Sequence, residues 1–151
     1  MKTTALGVAA VPLILGLGIG AVTPMHPEWY KTLNKPSWNP PGWVFGPVWT
    51  VLYLLMGLAA RRVVLRAGLL TWPMLAFAVQ LALNVAWSPV FFGQKNPKRA
   101  LGILGSLVAA AALTTVLFWR VDRTAGLMLL PYMAWLALAL SLNREIVVRN
   151  P

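Results

Sequence analysis

Five apolar runs, each close to the length that crosses a bilayer, constrain this chain more than any other feature. They extend from about Thr4 to Met25, Val44 to Ala60, Pro73 to Phe92, Arg99 to Trp119 and Thr124 to Ile146. A transmembrane helix needs roughly 20 predominantly apolar residues. Lipid offers no partner for backbone N–H and C=O groups, so runs of this length cross as helices that satisfy those groups internally. The expected fold is all-α: an integral membrane bundle of five transmembrane helices, forming one domain over residues 1–151. Only the first connection is long, a proline- and tryptophan-rich loop at about 26–43. Five crossings place the two termini on opposite sides. The first run follows Lys2 as a signal peptide would, but it lacks a clean small-residue cleavage site, so a retained helix is expected.

Composition points the same way. Hydrophobic residues make up 59% and charged residues 11%, against about 45–50% and about 25% in soluble domains. Too little polar surface exists to coat a water-soluble globule. The net charge of +10 comes from basic residues clustered between the apolar runs, as suits helix ends among anionic headgroups. No nucleic-acid-binding motif accompanies them, so nucleic acid is not an expected partner. Lys2, Arg61, Arg62, Arg66, Arg120 and Arg123 fall on one side; Lys31, Lys35, Lys95, Lys98, Arg99, Arg144 and Arg149 fall on the other. That even division sets no orientation by the positive-inside rule.

The absence of cysteine excludes disulfides and thiolate chemistry. With a single histidine, His26, in a loop, no protein-ligated metal and no resident cofactor are expected. The three carboxylates, Glu28, Asp122 and Glu145, sit at loops or run ends. General acid–base catalysis and an intramembrane proton relay therefore lack their usual residues.

Local signals bound the runs. Arg61-Arg62 is expected to close the second. Thr71 ahead of Trp72-Pro73, and Asn96 ahead of Pro97, read as N-caps with proline in the first turn. Pro89 is expected to kink the third helix near its end. Of eight tryptophans, Trp72 and Trp119 fall at run ends and read as interfacial anchors.

Trp49, Trp87 and Trp135 lie inside runs, and each has a polar or aromatic neighbour on its own helical face. Trp49 and Tyr53 are four apart; Gln80, Asn84 and Trp87 form a second stripe; Trp135, Ala139 and Asn143 form a third. Flat rings with a few amides and no charge suit the wall of a cavity for a large, flat, apolar ligand, with Gln80 and Asn84 placed to orient it. The stretch from Asn34 to Trp43 holds three prolines and two tryptophans, Trp38 and Trp43. It is expected to be stiff without regular structure and to fold over the bundle mouth as a lid. Ala78, Ala82 and Ala86 repeat at spacing four, nearly opposite the Gln80–Trp87 stripe, as a small-residue surface for homodimer packing. Gly102, Ser106 and Ala109 offer a rival surface.

Taken in order, Trp29-Tyr30, Asn34-Lys35-Pro36-Ser37-Trp38-Asn39-Pro40-Pro41-Gly42-Trp43, Gly46-Pro47-Val48-Trp49 with Tyr53, Gln80 through Pro89, Phe91-Phe92, Leu130 through Trp135 and Leu142-Asn143 resemble the translocator protein family, whose bacterial members are tryptophan-rich sensory proteins. The resemblance covers nearly the whole chain. It implies a bacterial-type membrane receptor or sensor with a role in tetrapyrrole transport or regulation. It implies porphyrins such as protoporphyrin IX as ligands, extending to other haem-related tetrapyrroles, sterols, lipid and isoquinoline or benzodiazepine drugs. Its pocket positions fall on Tyr30, Trp49, Asn84, Trp87, Trp135 and Ala139, to which Trp38 and Tyr53 add from the residue reading. It also implies a homodimer through the third helix. An alternative it carries is light-dependent porphyrin breakdown, with Trp49 and Trp135 as the reacting tryptophans. One departure stands out: where mammalian relatives carry the tyrosine of a sterol motif, this chain has Arg144 followed by Glu145, which lowers the expectation of tight cholesterol binding.

Overall fold

Proline, glycine and capping side chains set where the helices start and stop. The computed structural model describes residues 2–151. Helix α1 covers Lys2–Val22. A short helix, α2, covers Pro27–Thr32 and starts on a proline, whose missing N–H is no loss in a first turn. Helix α3 covers Gly42–Ala67 and stops at Gly68, whose φ of 96° is left-handed and favours glycine. Helix α4 covers Trp72–Ser88 and runs on as a π-helical turn, Pro89–Gly93. Helix α5 covers Pro97–Val121, with Asn96 Oδ1 accepting the Arg99 N–H at 3.0 Å as its cap. Helices α6, Arg123–Met128, and α7, Leu130–Arg149, together make the last crossing. Five stretches are thus long and apolar enough to span a membrane, and no strand occurs among the described residues. The chain is an all-α, multi-pass integral membrane protein.

The bundle closes as a ring: α1 packs on α3, α3 on α6, α6 and α7 on α5, α5 on α4, and α4 back on α1. The tightest passage is α1 against α3, where Gly57 lies directly under the Ala9 backbone. At the end remote from α2, Phe77 and Phe118 stack 5.6 Å apart within the core. The outer surface is as apolar as the core, with Leu6, Ile14, Leu54 and Leu113 exposed. That is expected where the solvent is lipid and packing, rather than water exclusion, holds helices together.

Several local expectations are corrected. Arg61-Arg62 does not close α3, which continues to Ala67. A long basic side chain reaches polar ground from a helix without ending it. Arg62 and Arg66, one turn apart, bring Nε to Asp122 Oδ2 at 3.1 and 2.8 Å. In the first loop α2 precedes the stretch expected to be irregular, and residues 34–41 carry neither helix nor strand, as expected. Thr71 makes no side-chain cap; its hydroxyl donates to Gly68 O at 3.3 Å. At Pro89 the outcome is a π turn: Gln94 N donates to Pro89 O, five residues back, at 2.8 Å. The last run is interrupted at Leu129, ahead of Pro131, which lacks the N–H that would continue the ladder.

Asp122 ties this end together. It caps α6 by accepting the Ala125 N–H at 3.2 Å and is 3% exposed, while Arg62 and Arg66 are 39% and 61% exposed. Burial works to raise its carboxyl, but the Ala125 N–H, the Arg62 hydrogen bond and the two guanidinium charges outweigh it, leaving Asp122 below the usual carboxylate range. A carboxyl lowered in the folded state contributes stability above its unfolded pKa and loses it as pH falls through the folded value. Thermal stability in detergent is expected to hold from neutral pH down to about pH 5 and to fall below it. Asp122→Asn should flatten that fall; an unchanged acid profile in the variant would remove the ion pair as its cause.

Candidate functional site

A cavity of about 410 Å³ lies inside the ring, between α1, α3, α4, α5 and α7 and under the loop that follows α2. Helical spacing builds its walls. From α3 come Phe45, Trp49 and Tyr53; Trp49 stacks on Tyr53 at 5.4 Å and meets Trp135 of α7 edge to face at 6.3 Å. Phe45, one turn before Trp49, also meets Trp135 edge to face at 5.6 Å. From α4 and its π turn come Trp87, Phe91 and Phe92, with Trp87 stacked on Phe91 at 4.9 Å. The extra residue in the π turn is what points two consecutive phenylalanines, Phe91 and Phe92, at one space.

A chain of hydrogen bonds lies at and below the floor. Tyr53 Oη donates to Asn84 Oδ1 at 2.8 Å, Asn84 Nδ2 donates to Tyr132 Oη at 2.8 Å, and Tyr132 Oη donates to Gln80 Oε1 at 2.7 Å. On the far wall, Trp87 Nε1 donates to Asn143 Oδ1 and Asn143 Nδ2 donates to Pro97 O, both at 3.0 Å. These bonds join α3, α4, α5 and α7 around the cavity and hold its rings in place. Buried amides and hydroxyls without such partners would cost about 1–3 kcal/mol each.

The roof is Tyr30, Asn39 and Pro40. Tyr30 packs on Phe92 at 5.6 Å, and Lys35 Nζ donates to Tyr30 O and Leu33 O at 2.8 and 3.2 Å while standing 4.5 Å over the Tyr30 ring. Burial pushes the Tyr30 hydroxyl above the ordinary tyrosine range, and Asn39 pulls it partly back. The loop is strapped to the end of α7: Asn34 N donates to Asn150 Oδ1 at 2.9 Å, and Asn150 Nδ2 returns a bond to Asn34 O at 3.0 Å.

Of the residues singled out from sequence, Tyr30, Trp49, Tyr53, Asn84, Trp87, Trp135 and Ala139 stand on the wall of this one cavity. Trp38 does not: it is 46% exposed and lies off the wall. Gln80 lies below the floor, where its side chain serves Tyr132 and Met56 rather than the open space. Sequence reasoning missed Asn39, Phe45, Phe91 and Phe92 as wall residues, and missed the contribution of α1 through Gly16 and Gly20. Phe45 was within reach, four residues before Trp49; Phe91 and Phe92 depend on the π turn, which periodicity does not reveal. Ala78 and Ala82 face outward from the bundle and Ala86 is half-buried, away from the cavity.

No charged side chain lines the space, and its volume falls in the range of small-molecule sites. Fold and site together define a five-span membrane protein built around an uncharged, aromatic-walled cavity of small-molecule size. Residues 8–149 match the TspO/MBR family model. A tryptophan-rich protein TspO from Chlorobaculum tepidum is 40% identical, covering 92% of this chain and 90% of its own length. A tryptophan-rich sensory protein from Cereibacter sphaeroides is 46% identical over 82% of this chain and 77% of its own, and the Homo sapiens translocator protein 45% identical over 77% and 71%. The chain belongs to the TspO/MBR family, which places it among membrane sensor and translocator proteins.

Proposed function

We propose that this chain is a membrane receptor for porphyrins and related flat tetrapyrroles, held in the cavity between α3, α4 and α7. The observation that carries the reading is the wall itself: Trp49, Trp87 and Trp135, joined by Tyr53, Phe45 and Phe91, with no charge among them. Aromatic faces stack on planar conjugated rings, worth about 0.5–1.5 kcal/mol per pair beyond the area buried. Burying an unpaired charge costs several kcal/mol, so the ionised groups of a porphyrin stay at the loop end, where Lys35 stands. The hydrogen-bonded floor resists collapse and keeps the rings apart.

The test is saturation binding of protoporphyrin IX to the purified protein in detergent, followed by quenching of tryptophan fluorescence. We expect saturable quenching at one porphyrin per chain. Quenching that rises linearly without a plateau, as in empty detergent micelles with free tryptophan, would overturn the reading.

A further inference from the structure

Helices α1 and α3 touch closely along part of their length and then part. Gly57 lies under the Ala9 carbonyl, and Gly16 lies against the Tyr53 ring, so no side chain fits at either place. Nearer the loop the contact ends. A methyl group built on Gly20, Gly42 or Gly46 meets no atom within 4 Å. All three glycines line the cavity, and all three are exposed. Leu17 and Met25 do the same, at 48% and 44% exposure. The cavity therefore reaches the outer surface of the bundle through its side, between the end of α1 and the start of α3.

The end of the cavity is closed by comparison. The loop is tied to α7 by the reciprocal Asn34–Asn150 bonds, and Lys35 staples two of its carbonyls. Opening it means breaking several hydrogen bonds together, whereas the side opening crosses only apolar and backbone-satisfied helix surface. A large apolar ligand partitions into the bilayer before it meets the protein, because that removes its surface from water.

We infer that the gap flanked by Gly20, Gly42 and Gly46 is a lateral portal through which a bilayer-dissolved, flat apolar ligand enters the cavity from the lipid, without passing under the loop. The inference rests on the porphyrin-binding reading. Glycine serves here because its missing side chain leaves the passage clear, while the helices on either side keep their own backbone groups bonded.

The chain has no cysteine, so Gly46→Cys creates a unique attachment point for a bulky maleimide. Labelled and unlabelled protein then share one fold, and both are reconstituted in phosphatidylcholine vesicles preloaded with protoporphyrin IX. Tryptophan quenching gives the association rate and the affinity. Unlabelled Gly46→Cys, measured beside the unmodified chain, is the reference against which the label is read. The labelled protein should associate at least about tenfold more slowly, with dissociation slowed alike, so that the affinity changes much less than the rate. Asn150→Ala, which cuts the strap, should leave association unchanged. Equal rates with and without label would overturn the portal, as would lost affinity at an unchanged association rate, or faster association in Asn150→Ala. Absence of saturable binding by the unlabelled and unmodified proteins would instead remove the porphyrin reading on which the portal rests.

Discussion

Trp135→Ala is expected to weaken protoporphyrin IX binding about thirtyfold or more. The indole of Trp135 stands at the centre of the aromatic wall, edge to face with both Trp49 and Phe45. Its loss removes about 1 kcal/mol of stacking and about 1–2 kcal/mol of apolar contact. Each 1.4 kcal/mol is roughly a factor of ten in affinity. Trp49→Ala should act similarly and should also free Tyr53, which stacks on it. Trp38→Ala should change affinity little, because that ring lies off the wall and half in the open. Isotherms for the three variants beside the unmodified chain give the comparison. Unchanged affinity in both Trp49→Ala and Trp135→Ala would move the ligand out of this cavity.

Gly57→Leu is expected to cost the fold more than any other single apolar change in the bundle. A side chain at 57 runs into the carbonyl, Cα and backbone of Ala9, which move only if α1 leaves α3. Forcing extra atoms into a filled site costs about 1–3 kcal/mol and occasionally more. For a chain of this size that lowers the unfolding midpoint by about 5–10 °C. Even Gly57→Ala should show much of this effect. Gly7→Ala and Gly18→Ala are the controls, since nothing lies within 4 Å of an added methyl at either position. There the gain in helix propensity, up to about 1 kcal/mol, should leave stability level or slightly raised. Thermal unfolding in one detergent decides it: a Gly57→Leu midpoint equal to that of Gly7→Ala would mean that the α1–α3 contact is loose.

Much of this architecture is legible in the amino-acid order because a bilayer writes its thickness into each helix. Five apolar runs correspond to five spans, and Asn96 caps α5 as its position before Pro97 suggests. The wall residues at spacing three and four, Trp49 with Tyr53 and Asn84 with Trp87, share a face by helix geometry alone, and that face is the inner one. What escaped depends on partners from other helices. Gln80 looks like a cavity amide within α4, yet Tyr132 of the last span takes its carbonyl and draws it below the floor. Arg61-Arg62 looks like a helix end, yet Asp122, sixty residues on from Arg62, gives the basic side chains a partner and lets α3 run on. Trp38 belongs by composition with the other tryptophans, but the strap at Asn34 and the turn of the loop leave it outside. The role of α1 was hidden for a different reason: glycine contributes to a wall by what it lacks, and a missing side chain carries no chemical signature.

Whether the cavity itself is the binding site is tested most directly by filling it. Ala139 lines the cavity on α7, one turn beyond Trp135, and Ala139→Trp places an indole in the open space without adding charge or a buried carboxylate. Binding isotherms for protoporphyrin IX are measured on the unmodified chain and on Ala139→Trp, after matching their thermal unfolding. The unmodified chain should saturate at one porphyrin per chain, and the filled chain should lose at least about tenfold in affinity, or about 1.4 kcal/mol. Saturation of Ala139→Trp at the same stoichiometry and the same affinity would contradict a site inside the bundle.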